Sequence, residues 1–318
     1  MMTILEVRDL KVYYPMLHGT VKAVDGVSFK LERGEILGIA GESGSGKSTL
    51  AHAIMRLLKP PGKIVSGDIL FEGRSLLKLS DEEMRRLRGR EISMVFQDPN
   101  TYLNPLMKIG IQVAEVYEAH QGVKPSTVLD KVVDLLRRVH ITDPDRRVHS
   151  YPHELSGGMK QRSLISMAVA LKPKLIILDE PTSALDVTIQ AEIVKILKEM
   201  RDELGAAMIF ISHDLELLLQ ISDRILIMYA GKIVEEGDPK DIYREPLHPY
   251  TQALINSIKY TRKTDLTTIE GQPPSLIKPP TGCRFHPRCP KAMEECSVEE
   301  PREYIVHGRR VYCHLYRG

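Results

Sequence analysis

The apolar run Ile36–Ala40 leads straight into Gly41-Glu42-Ser43-Gly44-Ser45-Gly46-Lys47-Ser48, and from Ser48 to about Leu58 the spacing turns helical. A buried strand, a glycine-rich turn and a helix in that order leave few layouts open. The strand must lie inside a sheet, with its own helix packed back over one face. The eight-residue turn fits G-x-x-x-x-G-K-[ST] throughout, and its glycines let backbone N–H groups turn inward around phosphate oxygens. Lys47 is placed to neutralise β- and γ-phosphate charge, the Ser48 hydroxyl to ligate Mg²⁺, and Thr49 to hydrogen-bond the α-phosphate. The pattern specifies a nucleotide and is silent on the reaction.

Around this unit the chain alternates. Strands are expected at Ile4–Tyr14, Val27–Leu31, Gly67–Phe71 and Ile92–Phe96, with a charged helix over Asp81–Arg90. Lys108–His120 and Ser126–His140 show helical spacing, the second with Val128, Val132, Leu135, Leu136 and Val139 on one face. Asp143-Pro144-Asp145 breaks that block. A helix over Gly157–Leu171 precedes a buried strand, Leu175–Leu178, that ends in Asp179. Val187–Glu203 then reads as an amphipathic helix closed by Gly205, and Met208–Ile211 and Arg224–Met228 as strands. Ile233–Val234 is the expected second arm of a hairpin turned at Ala230-Gly231. After Ile258 the pattern dissolves into a proline-rich stretch from Pro273 to Pro290.

The bulk numbers bound the function. A chain of 318 residues with 42% hydrophobic and 27% charged residues can bury a full core and stay soluble. A net charge of +2 gives no broad nucleic-acid footprint, so no nucleic-acid partner is expected. Glu6, Arg8 and Asp9 occupy the place of a signal-peptide apolar core. No run approaches the roughly 20 apolar residues of a membrane span. We therefore expect an intracellular chain that meets a membrane only through partners.

Three more features carry chemistry. Asp179 ends an apolar strand, where a carboxylate can reach Mg²⁺ through a water. Glu180, one step on, is positioned to deprotonate an attacking water. Gln97 follows the strand Ile92–Phe96, and a neutral amide there can touch Mg²⁺ and swing away. His213, after Met208–Ile211, is placed to donate to a γ-phosphate. Finally, Leu155-Ser156-Gly157-Gly158-Met159-Lys160-Gln161-Arg162 is a second glycine-rich turn feeding a helix, a ready anion site.

Taken together, the order of phosphate loop, glutamine, LSGG, acidic strand, Ser183-Ala184-Leu185-Asp186 and histidine resembles the ATP-binding cassette (ABC) ATPases over about residues 1–258. The resemblance implies an α/β fold of the P-loop NTPase type. Its parts are a mainly parallel sheet, an antiparallel β subdomain, a helical insertion at about 97–171, and a small irregular cysteine-bearing extension over 259–318. It also implies a head-to-tail dimer with two ATP molecules at the interface. Ser156, Gly157 and Gly158 would face the γ-phosphate held by the opposite chain, and Asp186 would couple the two sites. Near the N-terminus the family places an aromatic ring against adenine; Tyr14 fits best, with Tyr13 as rival.

Several runs resemble, more narrowly, the ATPase subunits of dipeptide and oligopeptide importers: Gln97-Asp98-Pro99 with Leu103-Asn104-Pro105, Tyr151-Pro152-His153-Glu154, Pro246-Leu247-His248-Pro249-Tyr250-Thr251, and Gly282-Cys283-Arg284-Phe285-His286-Pro287-Arg288-Cys289-Pro290. Tyr102 stands where that pattern often has serine, and Lys160 where it often has arginine. The implied partners are a second cassette subunit (homologous or identical), two membrane-spanning permease subunits that dock on the loop after Gln97 and the helical insertion, and, indirectly, an extracellular solute-binding protein. The implied place is the cytoplasmic face of the membrane, peripherally. An oligosaccharide or metal-ion importer of the same subfamily and a soluble, non-transport cassette ATPase are the alternatives.

The tail is judged separately. All four cysteines, Cys283, Cys289, Cys296 and Cys313, follow residue 282. Their spacings fit neither zinc knuckles nor a compact ferredoxin run. Resemblance to the importer subunits implies that the four thiolates ligate a [4Fe–4S] cluster, with zinc as runner-up and free thiols as the other alternative. Disulfides are not expected in a reducing compartment. The expected cofactor set is thus ATP, Mg²⁺ and the cluster.

Overall fold

The computed structural model describes residues 2–183, 185–260 and 271–317. Ala184 of the Ser183–Asp186 run and part of the expected extension, 261–270, lie outside the described residues. The chain divides into two compact units. One comprises Thr3–Leu31, Glu35–Leu77 and Phe210–Gly318, and the other Met1–Met2, Glu32–Gly34 and Lys78–Ile209.

The first unit holds the phosphate loop. Its strand Thr3–Met16 buries Ile4, Leu5, Val7, Leu10 and Val12, and pairs antiparallel with Lys63–Phe71 from Leu5↔Phe71 to Tyr13↔Lys63. The register slips between Arg8 and Val12. Gly67 sits at that slip with φ +94°, and a Cβ on it would come within 2.5 Å of the Arg8 and Asp9 carbonyl oxygens. Only a glycine allows the strands to meet there. The strand expected at Val27–Leu31 is the end of a longer one, Gly19–Glu32.

In the same unit, Ile36–Ala40, buried along its whole length, pairs parallel with Arg224–Tyr229. Arg224–Tyr229 turns through Ala230 (φ 46°) and Gly231 (φ 82°) into the antiparallel strand Lys232–Gly237. Two successive positive φ values make the primed turn that suits a hairpin. Lys232–Gly237 pairs in turn with Arg309–Val311, and that strand with Tyr304–Val306. The last part of the tail is therefore a β-hairpin added to the sheet that carries the phosphate loop. Three-residue strands are too short to show an alternating pattern, so the sequence gives no sign of it.

The hairpin is anchored by buried charge. Glu235, fully buried, accepts hydrogen bonds from the backbone N–H groups of Leu247 (2.9 Å) and His248 (2.8 Å), with Arg309 3.6 Å away. Burial raises its carboxyl pKa, and these donors offset part of that cost. His248 is buried as well; burial pushes it down to about 3, and its neutral ring accepts the Tyr250 N–H at 3.0 Å.

In the second unit, Ile92–Val95 pairs parallel with Leu175–Asp179 from Ile92↔Leu175 to Val95↔Leu178. The helical block consists of Ile109–Gln121, ended by Gly122 in the left-handed region, and Leu129–Arg138. Val128, Val132, Leu135, Leu136 and Val139 are all buried, as their spacing requires. Gly157–Val169 and Val187–Leu204 complete the unit, the latter closed by Gly205 at φ 62°. Among the described residues no helix is long and apolar enough to cross a membrane.

The Gly67 contact generates a test. Gly67→Ala is expected to destabilise the protein by roughly 2–3 kcal/mol, because backbone on both sides must move. A urea midpoint equal to wild type would refute this account of the strand slip.

Candidate functional site

The phosphate loop is shaped by what its glycines approach. A Cβ on Gly41 (φ +154°) would lie 2.2 Å from the Met228 carbonyl oxygen, and one on Gly46 (φ +102°) 2.1 Å from that of Ala23. Gly231, in the hairpin turn, donates its N–H to the Ser45 carbonyl at 2.8 Å. The loop is thus pressed backbone-to-backbone into its sheet, while Ser43 and Gly44 stay exposed at its tip. The helix behind it is Lys47–Ile54, shorter than expected, because Arg56 takes a left-handed conformation at φ 51°. Lys47 is 4% exposed, and its Nζ donates to the carbonyl oxygens of Gly41 (2.7 Å) and Glu42 (3.0 Å) and to Ser45 Oγ (3.4 Å). A buried ammonium held by loop carbonyls inside an anion cradle fits the phosphate of a nucleotide. Ser48 and Thr49 follow on the first turn of that helix.

Sequence spacing missed one support of this loop. The Tyr250 hydroxyl, 208 positions away, accepts the Glu42 N–H at 2.9 Å. Tyr13 and Tyr14 are separated by their contacts. Tyr13 donates its hydroxyl to Asp25 Oδ1 at 2.6 Å, and burial together with that carboxylate pushes the phenol up to about 12. The Tyr14 ring lies against Gly62, whose added Cβ would come within 2.4 Å of it. His213 is exposed just beyond the strand Ala207–Ser212.

In the other unit, Asp179 is buried at the end of Leu175–Asp179, and Glu180 follows with φ 47°. A left-handed glutamate is strained, and Ser183 holds it by donating both N–H (3.3 Å) and Oγ (3.2 Å) to its carbonyl. Gln97 Nε2 donates to Glu180 Oε2 at 3.1 Å. The two residues are thereby brought together from 83 positions apart. The segment after Gln97 is firmly built. Asp98 caps Pro99–Tyr102, its carboxyl pKa lowered by the Asn100 N–H and Thr101 hydroxyl that it accepts. Both departures from the importer pattern have partners here. The Tyr102 ring stacks on Phe96 with centroids 4.0 Å apart, and Lys160 donates to Asn100 Oδ1 at 2.8 Å.

Ser156 and Asp186 are both helix N-caps. Ser156 Oγ accepts the Met159 N–H at 3.3 Å, and Asp186 Oδ1 the Ile189 N–H at 3.0 Å. The two glycines between them differ. Gly158 is buried, and a Cβ there would come within 2.7 Å of Ile189 Cγ2; Gly157 is exposed, and its nearest neighbour would be Leu185 Cδ2 at 3.6 Å. Packing explains Gly158. It leaves Gly157 unexplained among the described residues.

The cysteine expectation is overturned. Cys283, Cys289, Cys296 and Cys313 are free thiols, and among the described residues no group of three or more His, Cys, Asp or Glu side chains is arranged to hold a metal ion. Burial pushes the Cys283 thiol up to about 12 and Cys313 up to about 11, and raises Cys289. Neither the [4Fe–4S] cluster nor zinc is supported. The extension coheres without one. Cys313 packs with Leu247 and Val311, Phe285 is 1% exposed against Tyr229 and Tyr250, and Arg284 pairs with Asp25.

Comparison with known proteins agrees with this geometry. The ABC transporter family model matches residues 24–183, and that of the oligopeptide/dipeptide transporter C-terminal region matches residues 234–296. The dipeptide transport ATP-binding protein DppD of Haemophilus influenzae is 46% identical over 315 residues, 98% of this chain and 96% of its own. The oligopeptide transport ATP-binding protein OppD of Bacillus subtilis is 47% identical over 307 residues, covering 95% of this chain and 86% of its own. A dimeric ATP-binding cassette in a post-hydrolysis state, bound to ADP and phosphate, superposes with a TM-score of 0.67 at 27% identity, over 74% of this chain and 99% of its own. A component of the ABC transporter complex cbiONQ from Clostridium perfringens gives 0.65 at 30% identity, over 83% and 96%. ABC ATPases bind ATP and Mg²⁺ and share this α/β cassette fold. By its phosphate loop, its Leu155–Arg162 turn and its likeness along nearly its whole length, the chain belongs to the ABC transporter family, among the dipeptide and oligopeptide transport ATP-binding proteins.

Proposed function

We propose that this chain is the ATP-hydrolysing subunit that powers a membrane importer of di- or oligopeptides. The likeness to dipeptide and oligopeptide transport subunits spans both the cassette and the C-terminal region, and this carries the peptide assignment. The working unit is a head-to-tail pair of cassettes, the second homologous or identical. It sits at the cytoplasmic face beneath two permease subunits, which receive solute from an extracellular binding protein. Residues 1–258 form the motor and 259–318 its extension. Leu106, 85% exposed, and Tyr102 lie in the segment after Gln97, an apolar face suited to a permease.

In this reading Lys47 neutralises β- and γ-phosphate charge and Thr49 bonds the α-phosphate, within the cradle of Gly41, Ser43, Gly44, Ser45 and Gly46. Tyr14 lies against adenine. Ser48, Gln97 and Asp179 would hold Mg²⁺, which offsets charge on the phosphates. Glu180 accepts a proton from water as the water oxygen bonds to the γ-phosphorus and the bond to ADP breaks. His213 donates to the γ-phosphate. Ser156, Gly157 and Gly158 of one chain close on the ATP of the other, and Asp186 links the two sites. The observation that favours a second chain is Gly157, which nothing among the described residues requires to be glycine.

Two tests follow from these roles. Glu180→Gln is expected to bind ATP, trap a dimer on size exclusion, and lose about 100-fold or more in turnover. In cells lacking the wild-type gene it should not restore uptake of a labelled dipeptide; full uptake with Glu180→Gln would sink the motor assignment. Gly157→Ala and Gly158→Ala should part company. The first is expected to leave thermal stability within about 0.5 kcal/mol of wild type while lowering turnover about tenfold. The second should cost about 1–3 kcal/mol by overpacking against Ile189. Equal turnover in Gly157→Ala and wild type would remove the argument for a partner at that face.

A further inference from the structure

Glu42 occupies one of the open positions of the phosphate-loop pattern, so phosphate chemistry does not call for its side chain. A carboxylate there is in fact unfavourable, because it adds negative charge to a cradle built for an anion. Yet Glu42 is held from every side. Its N–H is taken by the Tyr250 hydroxyl at 2.9 Å, and its carbonyl by Lys47 Nζ at 3.0 Å. Its carboxylate meets the guanidinium of Arg288 in a two-bond fork: Nη1 to Oε2 at 2.9 Å and Nη2 to Oε1 at 3.2 Å.

Arg288 is itself fixed. Its side chain is 6% exposed, and it donates to the Tyr229 hydroxyl at 3.3 Å, with its guanidinium carbon 5.8 Å from the centre of that ring. Phe285, one helical turn earlier, packs edge-on to Tyr229 and beside Tyr250. Arg284 reaches the carbonyl of Ala230, whose neighbour Gly231 bonds Ser45 in the loop. Two runs that the loop's own chemistry leaves unexplained, Pro246–Thr251 and Cys283–Cys289, thus converge on Glu42 and its supports.

We propose that Arg288 of the C-terminal extension is a positioning residue for nucleotide binding, which cancels the charge of Glu42 and holds the phosphate loop in its open, phosphate-ready form. The inference rests on the loop's binding a nucleotide. Without the arginine, Glu42 keeps its charge beside the incoming phosphates and is free to turn toward Lys47, the cation they need. A forked, charge-assisted pair of this kind is strong and geometrically specific.

The test is titration of the full-length protein with the non-hydrolysable analogue AMP-PNP and Mg²⁺, at low and high salt, beside thermal melts. Arg288→Ala is expected to weaken binding about tenfold, more at low than at high ionic strength. The double variant Arg288→Ala/Glu42→Gln should recover most of that loss, because the offending charge is gone. Arg288→Gln, with and without Glu42→Gln, gives the same comparison if Arg288→Ala does not fold. Unchanged affinity in the single variant, or a double variant no tighter than the single, would overturn the inference while leaving the nucleotide site standing. A wild-type protein with no saturable binding would overturn both.

Discussion

The close approach of the phosphate loop to backbone carbonyls is the constraint on which the site depends. Gly41 lies against Met228 and Gly46 against Ala23, at distances where any side chain would collide with main chain. Main chain cannot yield as a flexible side chain can, so the loop's shape is imposed by the sheet around it. Lys47 then finds its carbonyl partners, and the following helix begins where its N-terminus faces the cradle. An anion site of this kind is pre-formed, and little ordering remains for the ligand to supply.

A second economy joins stability to chemistry in the other unit. Ser156 and Asp186 each satisfy an orphan N–H at the start of a helix in their own chain. The same bonds fix where those side chains point. In the dimer proposed above, a residue that waits for a partner benefits from being held by a structural bond beforehand. Glu180 is held differently, by a strained backbone and the Gln97 amide. The strain makes sense if the carboxylate must sit off the line of its strand.

Legibility in the sequence followed distance along the chain. The strand, loop and helix at Ile36–Ile54, the acidic strand at Leu175–Asp179 and the capped helix after Asp186 are local patterns, and each lies close to where spacing puts it. The helical block between them was readable because Val132 and Leu136 repeat at the right interval. The fork between Arg288 and Glu42 joins residues 246 positions apart and leaves no local trace. The cysteine expectation came from resemblance to the importer subunits and not from the spacings themselves, and it misled. Cys296 and Cys313 are buried, Cys313 against Leu247 and Val311, and the hairpin at Tyr304–Val311 supplies the cohesion that a cluster was expected to give.

That hairpin has a consequence for synthesis. Its strand Arg309–Val311 pairs with Lys232–Gly237, two strands away from Ile36–Ala40, which feeds the phosphate loop. The edge of this sheet is therefore finished by a hairpin that is made long after the strand it covers. Domains otherwise tend to fold from the N-terminus as they emerge. A chain stopped short of Arg309 would expose the hydrogen-bonding edge of Lys232–Gly237, an invitation to pair with the wrong strand. The sheet that carries the phosphate loop is thus complete only once the hairpin has been made, and a copy stopped before it carries its defect as an open edge.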